Sequence, residues 1–157
     1  MLPILQHIMG STPSLSWSPR IDAETLLESF IWYSIQLEQE FKLEKPAMET
    51  FAKRAVWQAK YSNLSLDRFL NHHDVRGIRR DRLEAELPEE AYPRTDRPRD
   101  YAGDVQRVYD LMKTKCTSPV VVIRHPTDTN AWLFLDGTHR LIAAKLTRAK
   151  IRVCWIS

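Results

Sequence analysis

Four consecutive β-branched residues, Val120-Val121-Val122-Ile123, admit few structures. Branching at Cβ disfavours helix, and apolar side chains on both sides of the pleat leave no face for water. Such a run predicts a buried strand, opened by Pro119. HPTDTN (125–130) is turn chemistry, and a second strand is expected over Ala131–Leu135. After the turn DGTHR (136–140) comes a helix over about 139–147, and IRVCWI (151–156) closes the chain as a strand. Upstream, Tyr101, Val105, Val108, Tyr109 and Met112 fall on one face of a helix over 100–115. The order helix, strand, turn, strand, turn, helix, strand places the chain in the α/β (α+β) class.

The first half reads as helical. Asp22 can cap a helix running to about Lys42, with Leu26, Phe30, Leu37 and Phe41 at helical spacing. Pro46 suits the first turn of a second helix, whose apolar stripe is Met48, Phe51, Ala52, Ala55, Val56 and Ala59. A third, shorter helix follows Ser65. Trp32, Trp57 and Tyr61 can be read as base-stacking platforms or as core; aromatics at helical spacing favour core. Residues 86–100, ELPEEAYPRTDRPRD, hold three prolines among alternating charges and read as a linker or surface loop. The chain therefore divides into a helical N-terminal region, 1–85, and an α/β domain, 86–157.

A chain of 157 residues can bury a core without staples. Its two cysteines, Cys116 and Cys154, make neither a disulfide scaffold nor a metal spacing, and both are expected reduced. The adjacent His72 and His73 diverge and make a poor metal pair. There is no Walker loop. A net charge of +3 permits an anionic partner without demanding one. No apolar run is long enough to span a bilayer and the N-terminus makes a poor signal peptide, so a cytoplasmic setting is expected.

DGTHR carries the chemistry. A glycine between strand and helix lets backbone approach a ligand, and the helix start offers unpaired N–H groups and partial positive charge. Together these make an anion site, with phosphate the usual anion. Arg140, in the first turn, would oppose the dipole unless something negative sat nearby. Thr138 can cap the helix, His139 can donate to a phosphate oxygen, and Asp136 can hold a metal, a hydroxyl or a proton. A plain Asp-Gly hairpin is disfavoured because THRLIAAKL prefers helix. The other bland reading is a capped helix with no ligand. It puts Arg140 at the surface, where removing its side chain would leave stability unchanged or slightly raised.

Residues 97–156, through SPVVVIRH, WLFLDGTHRLIAAKL and AKIRVCWI, resemble the ParB/sulfiredoxin fold, behind an N-terminal helical extension with no recognised counterpart. In that family the glycine turn and following helix bind nucleotide phosphates: CTP in partition proteins, ATP in sulfiredoxins and free serine kinases. DGTHR is closest to the kinase motif, D-G-H-H-R. The resemblance implies that Gly137, Thr138, His139 and Arg140 line the phosphates of ATP or CTP. Asp136 would be the acidic group, with Mg2+, and Asp136 and His139 the catalytic pair of a phosphotransferase or nucleotide hydrolase. Thr138 stands where sulfiredoxins have their cysteine nucleophile, so sulfinic-acid reduction is not implied. The kinases also take an acidic base from an earlier segment; Glu84, Glu86, Asp96, Asp100 and Asp104 are the candidates.

Two rival readings remain. In a DNA-binding or DNA-cleaving ParB-like protein, RGIRRDR (76–82), through Arg76, Arg79 and Arg80, and the basic second helix, with Lys53 and Arg54 off its apolar stripe, would supply phosphate contacts. The bland reading of that run is a solvated face neutralised by Asp81, Glu84 and Glu86. In a non-enzymatic interaction module of phage or plasmid type, DGTHR would be a relic.

Overall fold

The computed structural model describes residues 15–36, 45–92, 101–113, 115–125 and 127–157, with the side chains of 32–36 and 45–47 excepted. The chain runs β1 (Ser16–Trp17), α1 (Ala23–Gln36), α2 (Lys45–Gln58), β2 (Lys60–Leu64), α3 (Leu66–His72) and β3 (Val75–Arg76). It continues through two single turns, α4 (Arg80–Leu83) and α5 (Pro88–Ala91), to α6 (Tyr101–Met112). Then follow β4 (Cys116–Thr117), β5 (Val120–Arg124), β6 (Trp132–Asp136), α7 (Thr138–Thr147) and β7 (Ile151–Ile156).

The β-branched run is the middle strand of a mixed five-stranded sheet, ordered β2-β7-β5-β6-β3. β5 pairs antiparallel with β6, which follows it in the chain, and parallel with β7. Alternate residues of β5 enter two different cores, which is why the run is apolar on both sides. Val120 and Val122 join Phe69, Val105, Val108, Leu141, Ile142 and Val153 beneath α3, α6 and α7. Val121 and Ile123 join Leu26, Phe30, Met48, Ala52, Ala55 and Cys154 beneath α1 and α2. The molecule is a three-layer α/β/α arrangement.

The helix signals are realised locally. Asp22 Oδ1 accepts from the Thr25 N–H at 2.7 Å, and this bond holds its carboxyl below the usual range. Ser65 caps α3 by accepting from the Arg68 N–H at 3.2 Å. Leu37, Phe41 and Lys42 of the expected first helix lie outside the described residues, as do the linker residues 93–100 and the side chain of Trp32.

The expected helical region 1–85 is not wholly helical. It supplies β2, which pairs with β7 over its whole length, and β3, which pairs with β6. The expected division at 85/86 therefore cuts across one sheet, and α1 and α2 form that sheet's second covering layer. The physical reason is that Ile21, Leu26, Phe30 and Ala52 bury against the underside of β5, β6 and β7 rather than against each other alone. A further two-residue parallel pair joins β1 to β4.

Of the thiols, Cys154 is buried, and burial pushes its pKa up to about 11. Cys116 is exposed beside the Ser18 hydroxyl at 3.1 Å. Neither lies in the glycine turn. Trp57 departs from the expected core reading: it is 84% exposed.

Candidate functional site

β6 ends at Asp136 and α7 begins at Thr138, so Gly137 is the whole connection. Its φ of +129° is a conformation side chains rarely adopt, and a Cβ there would lie 2.6 Å from Val120 Cγ1 and 3.3 Å from Val120 Cα. Glycine is required both for the turn and for the close pass over β5. Gly137 itself is the N-cap and contributes no side-chain cap, so the expected capping by Thr138 is corrected: Thr138 is already the first helical residue. The Leu141 N–H reaches back to the Gly137 carbonyl at 2.8 Å. The N–H groups of 138–140 precede that first intrahelical bond and have no carbonyl one turn back to meet.

This helix start opens onto a cleft of about 930 Å3 at the carboxyl end of β6. Asp136, Thr138, His139 and Arg140 all line it, together with Thr25 and Glu28 from α1, Asp104 and Arg107 from α6, and Arg79, Arg82 and Tyr92. The volume is at the upper end of the roughly 300–1,000 Å3 of small-molecule pockets. Of the five candidate acids, Asp104 is the one brought here; Glu84 and Glu86 are exposed elsewhere, and Asp96 and Asp100 lie outside the described residues.

His139 is held on two sides. Its Nε2 lies 2.9 Å from Asp104 Oδ1, and its ring stacks on Tyr92 with centroids 5.1 Å apart and planes at 16°. A carboxylate only accepts, so Nε2 carries the hydrogen and donates it. Burial lowers the pKa of His139, with the bond to Asp104 opposing in part. In its neutral form the ring therefore keeps a lone pair on Nδ1. Arg82 lies over the same Tyr92 ring at 4.6 Å and donates to the Ala91 carbonyl at 2.6 Å.

Arg140 is neither the surface residue of the bland reading nor a free phosphate ligand. Its side chain is 7% exposed. Nη1 donates to the carbonyls of Ser118 at 2.9 Å and Pro119 at 2.6 Å, and Nη2 pairs with Asp136 Oδ2 at 3.2 Å. Burial pulls its pKa down from the arginine value, and Asp136 opposes this. The guanidinium thus ties the entrance of β5 to the start of α7. Asp136 Oδ2 also accepts from the buried Ser29 hydroxyl at 3.0 Å.

Arg107 is exposed on the cleft wall and makes no hydrogen bond or ion pair among the described residues. Sequence reasoning missed Arg107, Arg82, Tyr92 and Ser29 as neighbours of the motif. Arg107 alone left a signal, since it follows Asp104 by three residues and shares its helix face.

The arginine run 76–82 does not form a common surface. Arg76 pairs with Asp128 at 2.6 Å and Asp74 at 3.3 Å, and Arg79 makes a two-pronged contact with Asp81 at 3.1 and 2.8 Å. Arg80 donates to the Leu70 carbonyl. Expected pairing with Asp81 is thus present for Arg79, while Glu84 and Glu86 take no part.

Among the described residues no group of three or more His, Cys, Asp or Glu is placed to hold a metal. Among the described residues Ser29 and Arg140 both engage Oδ2 of Asp136 and leave its Oδ1 open. That fits a hard cation arriving on a phosphate and meeting one carboxylate, and not an ion caged by protein. No helix among the described residues is long and apolar enough to cross a membrane.

Comparison with family models, curated proteins and solved structures gives no match.

Proposed function

We propose that the cleft binds a nucleoside triphosphate, ATP or CTP, by its phosphates and supports phosphoryl transfer or hydrolysis. One observation carries the reading. The backbone N–H groups at the start of α7 and Arg107, all without a partner among the described residues, line one cleft with a carboxylate-bound histidine. Phosphate oxygens satisfy such N–H groups and are favoured by the positive end of the helix. The Thr138 hydroxyl adds a donor. The likeness of DGTHR and its flanking elements to the ParB/sulfiredoxin fold supports the same ligand class.

Within this reading the residues take roles different from those expected. Arg107, not Arg140, is the guanidinium free to meet phosphate; Arg140 builds the site by holding Asp136 and the entrance of β5. Asp104 orients His139, so that neutral Nδ1 accepts the proton of an attacking hydroxyl or water as the bond to the transferred phosphorus forms. Arg107 and the helix start then stabilise the charge gathering on the leaving phosphate. Asp136 Oδ1 is the position for Mg2+, which would neutralise phosphate charge when bound.

Thermal unfolding tests the binding. Ligand at one hundred times its dissociation constant adds about 2.7 kcal/mol, which for a chain of this size corresponds to roughly 5–11 °C. No change in Tm with any nucleoside triphosphate at millimolar concentration would remove the proposal.

A further inference from the structure

We propose that the outward face of α2 binds single-stranded nucleic acid, with Trp57 as a stacking platform and Lys53 and Arg54 as phosphate contacts. Trp57 is 84% exposed, against 54% for Leu87, the other exposed large apolar side chain among the described residues. Its exposure follows from helix geometry. Met48, Ala52 and Ala55 are buried against α1 and the sheet, and Trp57 lies about 180° around the helix from Met48 at ~100° per residue. Lys53 and Arg54 stand four and three residues before it, one helical turn away and to either side. Both are exposed. Neither has an ion-pair partner among the described residues, whereas Arg76 and Arg79 are neutralised by aspartates. Arg54 has only the ring of Phe51, at 5.9 Å.

An exposed indole between two unpaired cations complements a ligand that alternates flat rings with negative charge. A single strand does this, because its bases are free to leave one another and stack on an aromatic side chain. A duplex keeps its bases stacked inside. A lipid surface would need an apolar face of several residues, and this face holds one, beside Thr50 and Gln58. The cleft takes no part in this surface.

Binding of the full chain to a labelled oligothymidine, read by anisotropy at low salt, tests the proposal. Trp57→Ala should weaken it by about 5- to 150-fold, and Trp57→Phe should recover part of the loss. Changing both cations, Lys53→Gln with Arg54→Gln, should flatten the log–log salt slope by about 1.4, at roughly 0.7 per lost phosphate contact. An abasic strand of equal charge should bind as weakly to the wild type as oligothymidine does to Trp57→Ala. Saturating ATP should change none of this. Unfolding curves of the variants should coincide with wild type, since the altered side chains are exposed. The proposal is overturned by no binding at low salt, by wild-type affinity in Trp57→Ala, or by competition from ATP. It is equally overturned if anionic vesicles bind more tightly than the strand in a Trp57-dependent way, or if Trp57→Ala abolishes a concentration-dependent self-association instead.

Discussion

Replacing Arg140 by alanine should destabilise the protein substantially before it affects any ligand. The side chain is 7% exposed and makes three contacts, to the Ser118 and Pro119 carbonyls and to Asp136. Bonds from a charged donor contribute about 1.5–3 kcal/mol each, and they do not add fully when they share one guanidinium. The carboxylate left behind is 36% exposed, so water can reach it and the penalty stays below that of a fully buried orphan charge. The net expectation is a loss of about 3–4 kcal/mol, or roughly 6–16 °C in Tm. Arg140→Lys keeps the charge but not the fork that serves two carbonyls and a carboxylate at once, and should lose about half as much. Urea unfolding of the three proteins reads this directly. A loss under about 1 kcal/mol in Arg140→Ala would refute the tie between the start of α7 and the entrance of β5, and would restore the surface residue expected from the sequence.

The same turn and cleft give two further expectations. Gly137→Ala places a Cβ 2.6 Å from Val120 Cγ1 at φ +129°, and should cost about 3 kcal/mol or more. Val120→Ala removes the Cγ1 contact but leaves Val120 Cβ at 3.0 Å and Cα at 3.3 Å. The double variant, compared with Val120→Ala alone, should therefore regain part of the loss and keep the rest as backbone strain; equal unfolding free energies for the double variant and Val120→Ala alone would contradict this. His139 has a pKa lowered by burial, so the unfolded chain takes up its proton first as pH falls. Its contribution is complete above the unfolded value of about 6.5 and is lost as pH falls from there towards the folded value. Unfolding free energies between neutral and mildly acidic pH should fall less steeply in His139→Gln than in wild type; identical slopes would contradict a partly buried imidazole whose neutral form is favoured.

Elements with strong local signals were legible in the sequence. Asp22 and Ser65 announce helices through side-chain caps, and the β-branched β5 and the apolar β6 announce strands that no other structure would bury. β2 was not legible. KYSNL is polar and half-exposed at the edge of the sheet, and it is a strand because β7 pairs with it from more than eighty residues away. β1, β3 and β4 have two residues each, too few to show a period. Trp57 was misread although its phase was available: it falls outside the stripe Met48, Ala52, Ala55 that the sequence itself displays. At the site, the glycine requirement at 137 was visible in composition and position. The burial of Arg140 was not, because its acceptors are backbone carbonyls at 118 and 119, which carry no residue-type signal. Asp104 was one acid among five until α6 packed against α7 and brought it to His139.

The most direct test of the nucleotide site is calorimetric titration of wild type and Arg107→Ala with ATP and CTP in the presence of Mg2+. Arg107 is exposed and unpaired among the described residues, so its removal should leave the unfolding curve unchanged. Loss of one charge-assisted phosphate contact corresponds to about 1.5–3 kcal/mol, or roughly 10- to 150-fold in Kd. The account predicts saturable binding of at least one of the two nucleotides to wild type, weakened to that extent in the variant. Absence of binding to wild type, or equal Kd values for both proteins, would contradict it.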